Sequence, residues 1–211
     1  MRFRLIAMLV LSLAGAQSAN AVVIDGKDWR QLTDTTGFSW LQIASQCGTG
    51  VCSGSIGSVD VDGWYWAENA DVLGLFDAII QPGSTQFPTG TTSYAAAADA
   101  DIANAIGTLF DATSIFPFGS SAYREVRGIT RSATANTATL AYLKDSPFGL
   151  LDEAAFDTAY PKNLGDSTTG IWLYKPTAVP EPTALALLGL GLVGVGVIRR
   201  RSAVRRSTCV A

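Results

Sequence analysis

The chain has no histidine in 211 residues. That absence excludes a Ser-His-Asp or Cys-His relay, an imidazole metal ligand and a histidine pH switch. Charge is also scarce, with Asp, Glu, Lys and Arg making up 16% of the chain. A mean hydropathy of +0.24 is too apolar for a disordered chain. Sulfur is limited to three Cys and two Met. The length fits one ordinary domain plus processing segments. Composition alone therefore names no reaction, cofactor or metal.

The few charges are segregated. Arg2 and Arg4 stand at the start, and Arg199, Arg200, Arg201, Arg205 and Arg206 near the end. All 18 acids lie between Asp25 and Glu181 with only eight basic residues, so residues 22–182 carry −10. A segment this acidic does not hold nucleic acid through phosphate contacts. It favours solubility and attracts cations weakly.

Both ends read as processing segments. Met1-Arg2-Phe3-Arg4 is a basic start, Leu5 to Ala16 an apolar core, and Ala19-Asn20-Ala21 an A-x-A cleavage site. Residues 1–21 are expected to be a secretory signal peptide, cut by signal peptidase to leave Val22 first. At the other end, Ala184 to Ile198 carries no charge. As a helix these residues rise about 22 Å, short of a bilayer core of about 30 Å, with snorkelling Arg side chains closing part of the gap. Arg199, Arg200 and Arg201 follow, as the positive-inside rule requires of the cytoplasmic flank. A transmembrane helix over 184–198 is expected, with a cytoplasmic tail over 202–211 and the body facing outward. Gly189-Leu190-Gly191-Leu192-Val193-Gly194 matches G-x-G-x-x-G, but a Pro-rich hinge precedes it and no βαβ unit surrounds it, so a nucleotide site is not expected.

Val179-Pro180-Glu181-Pro182 sits just before this segment. Two prolines with one residue between them hold the backbone extended and accessible to a protease. This motif, the apolar glycine-rich stretch and the Arg199-Arg200-Arg201 cluster, in that order, resemble the C-terminal sorting signal of PEP-CTERM proteins, over residues 179–201. The resemblance implies an exosortase as processing partner, a Gram-negative source, and export toward an exopolysaccharide or biofilm matrix. The tail after Arg201, with Cys209, extends past the usual short ending.

The body, residues 22–178, is long enough for one core. Val22-Val23-Ile24 reads as a strand, and Trp29 to Leu32 continues it after a turn at Asp25-Gly26. Ser39 can cap a helix on which Trp40, Ile43, Ala44 and Cys47 share a face. Gly63-Trp64-Tyr65-Trp66-Ala67 reads as a strand. Asn69 is the expected cap of a helix carrying Val72, Leu75, Phe76 and Ile79 on one face. The Ala-rich run from Tyr94 to Asp111 reads as a third helix with Ile102, Ala105, Ile106 and Leu109 inward. Tyr123 to Thr130, Ala138 to Leu143 and Gly170 to Tyr174 are expected strands. Helices early and strands late give an α+β expectation for a single exported domain. Leu32-Thr33-Asp34-Thr35-Thr36-Gly37 with Trp40, then Gly63-Trp64-Tyr65-Trp66-Ala67 with Val72, Leu75 and Phe76, is similar to a body seen in many PEP-CTERM proteins, although Tyr65 replaces its Arg. That order, closed by the Gly170-to-Tyr174 strand, resembles a C-type-lectin-like arrangement.

Few residues in the body suggest chemistry. Cys47 and Cys52 read as a local disulfide in an oxidising compartment, with free thiols or a metal pair as alternatives. A metal pair would need further ligands nearby. Cys209, beyond the apolar segment, is not expected to join them. Asp60-Val61-Asp62-Gly63 faintly resembles a Ca²⁺ turn, and otherwise a solvated turn before a strand. Alternation puts Trp64 and Trp66 on one side of their strand, either in a core or as a glycan platform, with Tyr65 opposite. Asp152-Glu153 reads as a solvated helix start. No catalytic residue, cofactor or metal site is expected. The expected function is a non-enzymatic surface or extracellular-matrix protein, anchored and then released by an exosortase. A carbohydrate-binding module and a secreted carboxylate-based hydrolase are the alternatives.

Overall fold

A computed structural model describes residues 21–80, 93–97, 100–147 and 150–177. The chain divides into two compact units, Met1–Pro176 and Thr177–Ala211. All described residues but Thr177 belong to the first unit. Ala19, Val179 to Pro182, the apolar stretch 184–198, Arg199 to Arg201 and Cys209 lie outside the described residues.

The first unit is a mixed α/β body dominated by strands. Strand β1 (Ala21–Ile24) turns at Asp25 and Gly26, both with positive φ, into β2 (Lys27–Arg30). The turn falls at Asp25-Gly26 as expected, while the second strand starts two residues before Trp29 and stops at Arg30. A 3₁₀ turn over Leu32–Thr35 follows, and then helix α1 (Trp40–Cys47). Ser39 caps α1 in a reciprocal box. Its hydroxyl accepts from the Gln42 N–H, and the Gln42 side chain accepts from the Ser39 N–H. The hairpin β3 (Ser55–Ile56) and β4 (Val59–Asp60) precedes β5 (Tyr65–Trp66) and helix α2 (Asn69–Ile79). The cap of α2 is Glu68, one residue before the expected Asn69, because Glu68 and Asp71 exchange side-chain bonds with each other's backbone N–H. Asn69 instead accepts a hydrogen bond from the Thr130 hydroxyl at 2.6 Å. Val72, Leu75, Phe76 and Ile79 are all buried, as their spacing requires.

The expected helix from Tyr94 to Asp111 is shorter than its alanines suggest. Ser93–Ala97 is strand β6, and helix α3 covers only Ala100–Thr108. Helix propensity yields there to an antiparallel partner, with Tyr94 opposite Ala154 and Ala95 opposite Glu153. Helix α3 is also broken near its end, where Ile106 and Gly107 leave helical geometry and Gly107 takes φ +117°. Arg124 holds that end, donating to the Ile106 carbonyl at 3.1 Å and through Nε to the Asp145 carboxylate at 2.8 Å.

Strands β7 (Ser114–Phe118), β8 (Ser121–Ala133), β9 (Thr137–Asp145) and β10 (Leu151–Pro161) form most of the larger sheet. Strand β10 runs through Asp152-Glu153, which is therefore not a helix start. Asp152 is buried and accepts from the Ser146 N–H at 2.6 Å, so its carboxylate serves a turn. Strands β11 (Gly170–Ile171) and β12 (Leu173–Pro176) end the described chain. The six-stranded sheet runs β11-β8-β9-β10-β6 with β7 paired to β8, and the four-stranded sheet runs β1-β2-β12-β5. Residues 170–176 thus cross from one sheet into the other.

Alternation on β8, β9 and β10 builds a core on each face of the large sheet. On one face Val126, Ala141, Leu143 and Ala154 meet α2, α3, Trp29 and Trp172. On the other, Ile129, Ala138, Leu140 and Tyr160 meet α1, Trp64, Trp66 and Leu173. The second cover is partial. It leaves the far end of that face open to solvent, where Phe116, Phe118 and Leu151 are exposed.

Candidate functional site

Cys47 and Cys52 form a disulfide. Both are buried. The bond ties the end of α1 to the segment that pairs with β5, where Cys52 donates to the Trp64 carbonyl at 2.7 Å and Trp66 to the Gly50 carbonyl at 2.7 Å. In the chain-entropy picture so short a loop adds about 2 kcal/mol. Its role here is to fix the aromatic strand against α1.

The carboxylates of Asp60 and Asp62 both accept from backbone N–H groups. Asp60 accepts from the Asp62 N–H at 3.0 Å, and Asp62 from the Gly54 N–H at 3.3 Å. Among the described residues no group of three or more Cys, Asp or Glu side chains is gathered to hold a metal.

Trp64 and Trp66 share a side of β5, as alternation requires, and Tyr65 lies opposite, stacked on Tyr174 at 5.5 Å. Both Trp residues are 7% exposed or less. Trp66 donates to the Ile129 carbonyl at 3.2 Å and tilts against Trp40. Trp64 has the Arg30 guanidinium at 5.2 Å and the Lys175 ammonium at 4.9 Å from its ring centre. A sugar platform needs an open ring face, so a glycan contact at Trp64 and Trp66 does not fit their burial.

The open end of the large sheet is the better-formed site. Period-two alternation brings Tyr123, Glu125 and Arg127 of β8, and Tyr142 and Lys144 of β9, onto this face. Register aligns them across the strands. Glu125 stands opposite Lys144, Lys144 opposite Glu153, and Arg127 opposite Tyr142. A depression of about 300 Å³ is lined by Glu125, Arg127, Leu140, Tyr142, Lys144 and Asp157. The Lys144 ammonium lies 3.4 Å from Glu153, and the Arg127 guanidinium 3.7 Å from Glu125. An aromatic rim borders the charged row. Phe116 pairs across the strands with Tyr123, and Phe118 packs edge-on to Tyr123 at 5.2 Å. Phe116 is 45% exposed. Acceptors, donors and ring faces are thus presented together in one shallow recess.

Burial sets the titration of this site. It raises the Tyr142 phenol far above its ordinary range, helped by a hydrogen bond to Glu153 and by the surrounding carboxylates. It also raises Glu125, outweighing the opposing pull of Arg127 and Lys144. A carboxyl whose folded value is raised binds its proton more tightly when folded. Its contribution is therefore fullest at low pH and declines as pH rises through the folded value. Glu125→Gln should flatten the stability profile just above the ordinary carboxylate range and leave the protein at least as stable near neutrality. Urea midpoints measured from about pH 4 to about pH 8 check this. A variant that loses stability at neutral pH while keeping the parent's slope would contradict it.

None of the residues lining this recess stands out in the sequence as a site. A signal is present in one expected strand, where Tyr123, Glu125 and Arg127 occupy alternate positions. The sequence does not show the register that aligns them, nor β10 itself.

The family model of the PEP-CTERM protein-sorting motif matches residues 178–201. The match covers Val179 to Pro182 and the Arg199 to Arg201 cluster. No curated protein and no solved structure matches the chain, so the lectin-like resemblance gains nothing from that side. Among the described residues no helix is long and apolar enough to cross a membrane. Residues 178–201 of the chain thus carry a PEP-CTERM protein-sorting motif.

Proposed function

We propose that the protein is exported, held at the membrane through the apolar segment within its sorting motif, and cut by an exosortase to act without enzymatic activity at the cell surface or in the exopolysaccharide matrix. The sorting motif at residues 178–201 carries this reading. The Cys47–Cys52 disulfide agrees with residence in an oxidising compartment. An acidic body suits a protein that stays soluble outside the cell. A signal peptide over residues 1–21 supplies the export step, and the apolar stretch 184–198 with its Arg flank supplies the anchor.

The test is intact mass after separating membrane, periplasm and medium of the native host. A species that begins at Val22 and ends between Pro180 and Pro182, found outside the cell, is the expected result. A chain ending at Ala211 and retained in the membrane would overturn processing. The exposed aromatic and charged recess favours a second reading, in which the released body is a carbohydrate-binding module.

A further inference from the structure

We infer that the open face of β7 to β10 is a binding site for an uncharged glycan strand. One or two sugar rings would sit in the recess over Tyr142, and the strand would continue across Phe116 and Tyr123. The inference deepens the carbohydrate-binding reading and rests on it. It also places the site away from Trp64 and Trp66.

Three observations converge. The first is the pairing of functional groups. Sugar hydroxyls both donate and accept, and Glu125, Asp157, Arg127 and Lys144 line the recess with both kinds of partner. The second is the rim. Phe116 is exposed beside the recess, and it flanks Tyr123 on the neighbouring strand. A ring edge or face of this kind takes the C–H side of a pyranose, giving apolar contact next to polar contact. The third is charge. Lys144 and Arg127 are already engaged by Glu153 and Glu125. With Asp157 and the flanking Glu153 counted, three carboxylates stand around two cations, within a segment of charge −10. A polyanionic glycan is repelled there, whereas an uncharged one loses nothing.

The recess is also prepared in advance. It lies on three adjacent strands rather than on loops, and one ion pair across strands, Lys144–Glu153, with one along β8, Arg127–Glu125, sets its side chains. Little ordering entropy is left for a ligand to overcome.

The test is calorimetric titration of the full chain in nanodiscs with cellohexaose, maltohexaose and mannohexaose, and with an alginate oligomer as the anionic probe. Saturable binding of an uncharged oligomer and none of alginate is expected. Phe116→Ala and Glu125→Gln should each weaken binding about tenfold. Phe116 is exposed, so its variant is expected to keep the parent's melting temperature, and a melt confirms this. If none of the uncharged oligomers binds, or alginate binds more tightly, the inference is overturned while the sorting reading stands. If an oligomer binds equally well to both variants, the site is overturned while the binding-module reading stands. If Phe116→Ala turns a self-associated parent into a monomer and no glycan binds, the face joins two copies of the chain and the inference is overturned.

Discussion

Trp172→Ala is expected to destabilise the body by about 4 kcal/mol, since truncating a buried Trp typically costs about 3–5 kcal/mol. Trp172 is fully buried and meets three rings edge-on: Trp29 at 6.0 Å, Phe76 at 5.7 Å and Phe110 at 5.6 Å. Its indole N–H donates to the Ala141 carbonyl at 3.0 Å, so removal also leaves a buried acceptor of β9 short of a partner. Its backbone ties the sheets as well. Its N–H donates to the Ile129 carbonyl at 3.2 Å, and its own carbonyl accepts from the Ala67 N–H at 2.9 Å. At about 2–4 °C per kcal/mol for a body of this size, the melting temperature should fall by about 10 °C. Trp172→Phe separates the contributions, because it keeps an edge-on ring and loses only the indole donor and some volume. It should fall between the parent and Trp172→Ala. A melt in which Trp172→Ala is within about 1 kcal/mol of the parent would mean that the ring is not the keystone of this core.

Gly170→Ala is expected to be nearly as damaging, by about 3 kcal/mol, at the upper end of what overpacking a core costs. A methyl at Gly170 would lie 2.3 Å from the Leu32 carbonyl oxygen and 2.8 Å from Leu32 Cβ. Its register partner is Gly128, where a methyl would lie 2.6 Å from Leu32 Cδ2 and 2.7 Å from Trp172. Two facing glycines therefore open a window in the sheet, into which the 3₁₀ turn sets Leu32. The two substitutions should differ in size. At Gly128 the nearest obstacle is the end of a side chain, which can rotate. At Gly170 it is backbone, itself held where the Thr35 hydroxyl accepts from the Ile171 N–H at 2.9 Å. Urea unfolding of both variants should rank Gly170→Ala below Gly128→Ala, and both below the parent. The reverse order would show that the turn yields more readily than the Leu32 side chain.

Local chemistry makes part of this fold legible. The Asp25-Gly26 turn, the Ser39 cap and the inward face of α2 each depend on residues within a few positions of one another, and each can be read directly from the chain. Local reading fails where a distant partner decides. Tyr94 to Ala97 reads as helix by composition and becomes strand because β10 lies beside it. Strand β10 is hidden because its first acids, Asp152 and Glu153, look solvent-facing, while one bonds a turn and the other pairs with Lys144. The Cys47–Cys52 pairing is one of the readings the spacing leaves open, since so short a separation limits what else the two thiols can do. The open recess is illegible for the same reason as β10. Its groups come from three strands, and only register shows that Glu125, Lys144 and Glu153 form one row.

The position of β12 has a consequence for the order in which the molecule can be completed. It is the last strand among the described residues, yet it lies inside its sheet, between β2 and β5. Until residues 170–176 emerge, the two early strands that flank β12 have no common partner, and Trp172 is missing from the core. Strands that emerge early must therefore wait with apolar surface uncovered, the situation in which partly folded chains aggregate or bind chaperones. The sorting motif begins two residues after β12 ends. Closure of the body and arrival of the motif are thus nearly simultaneous events. A chain cut short before Gly170 would lose the motif and the strand that completes the fold together, so truncated products would present themselves as unfolded rather than as missorted protein.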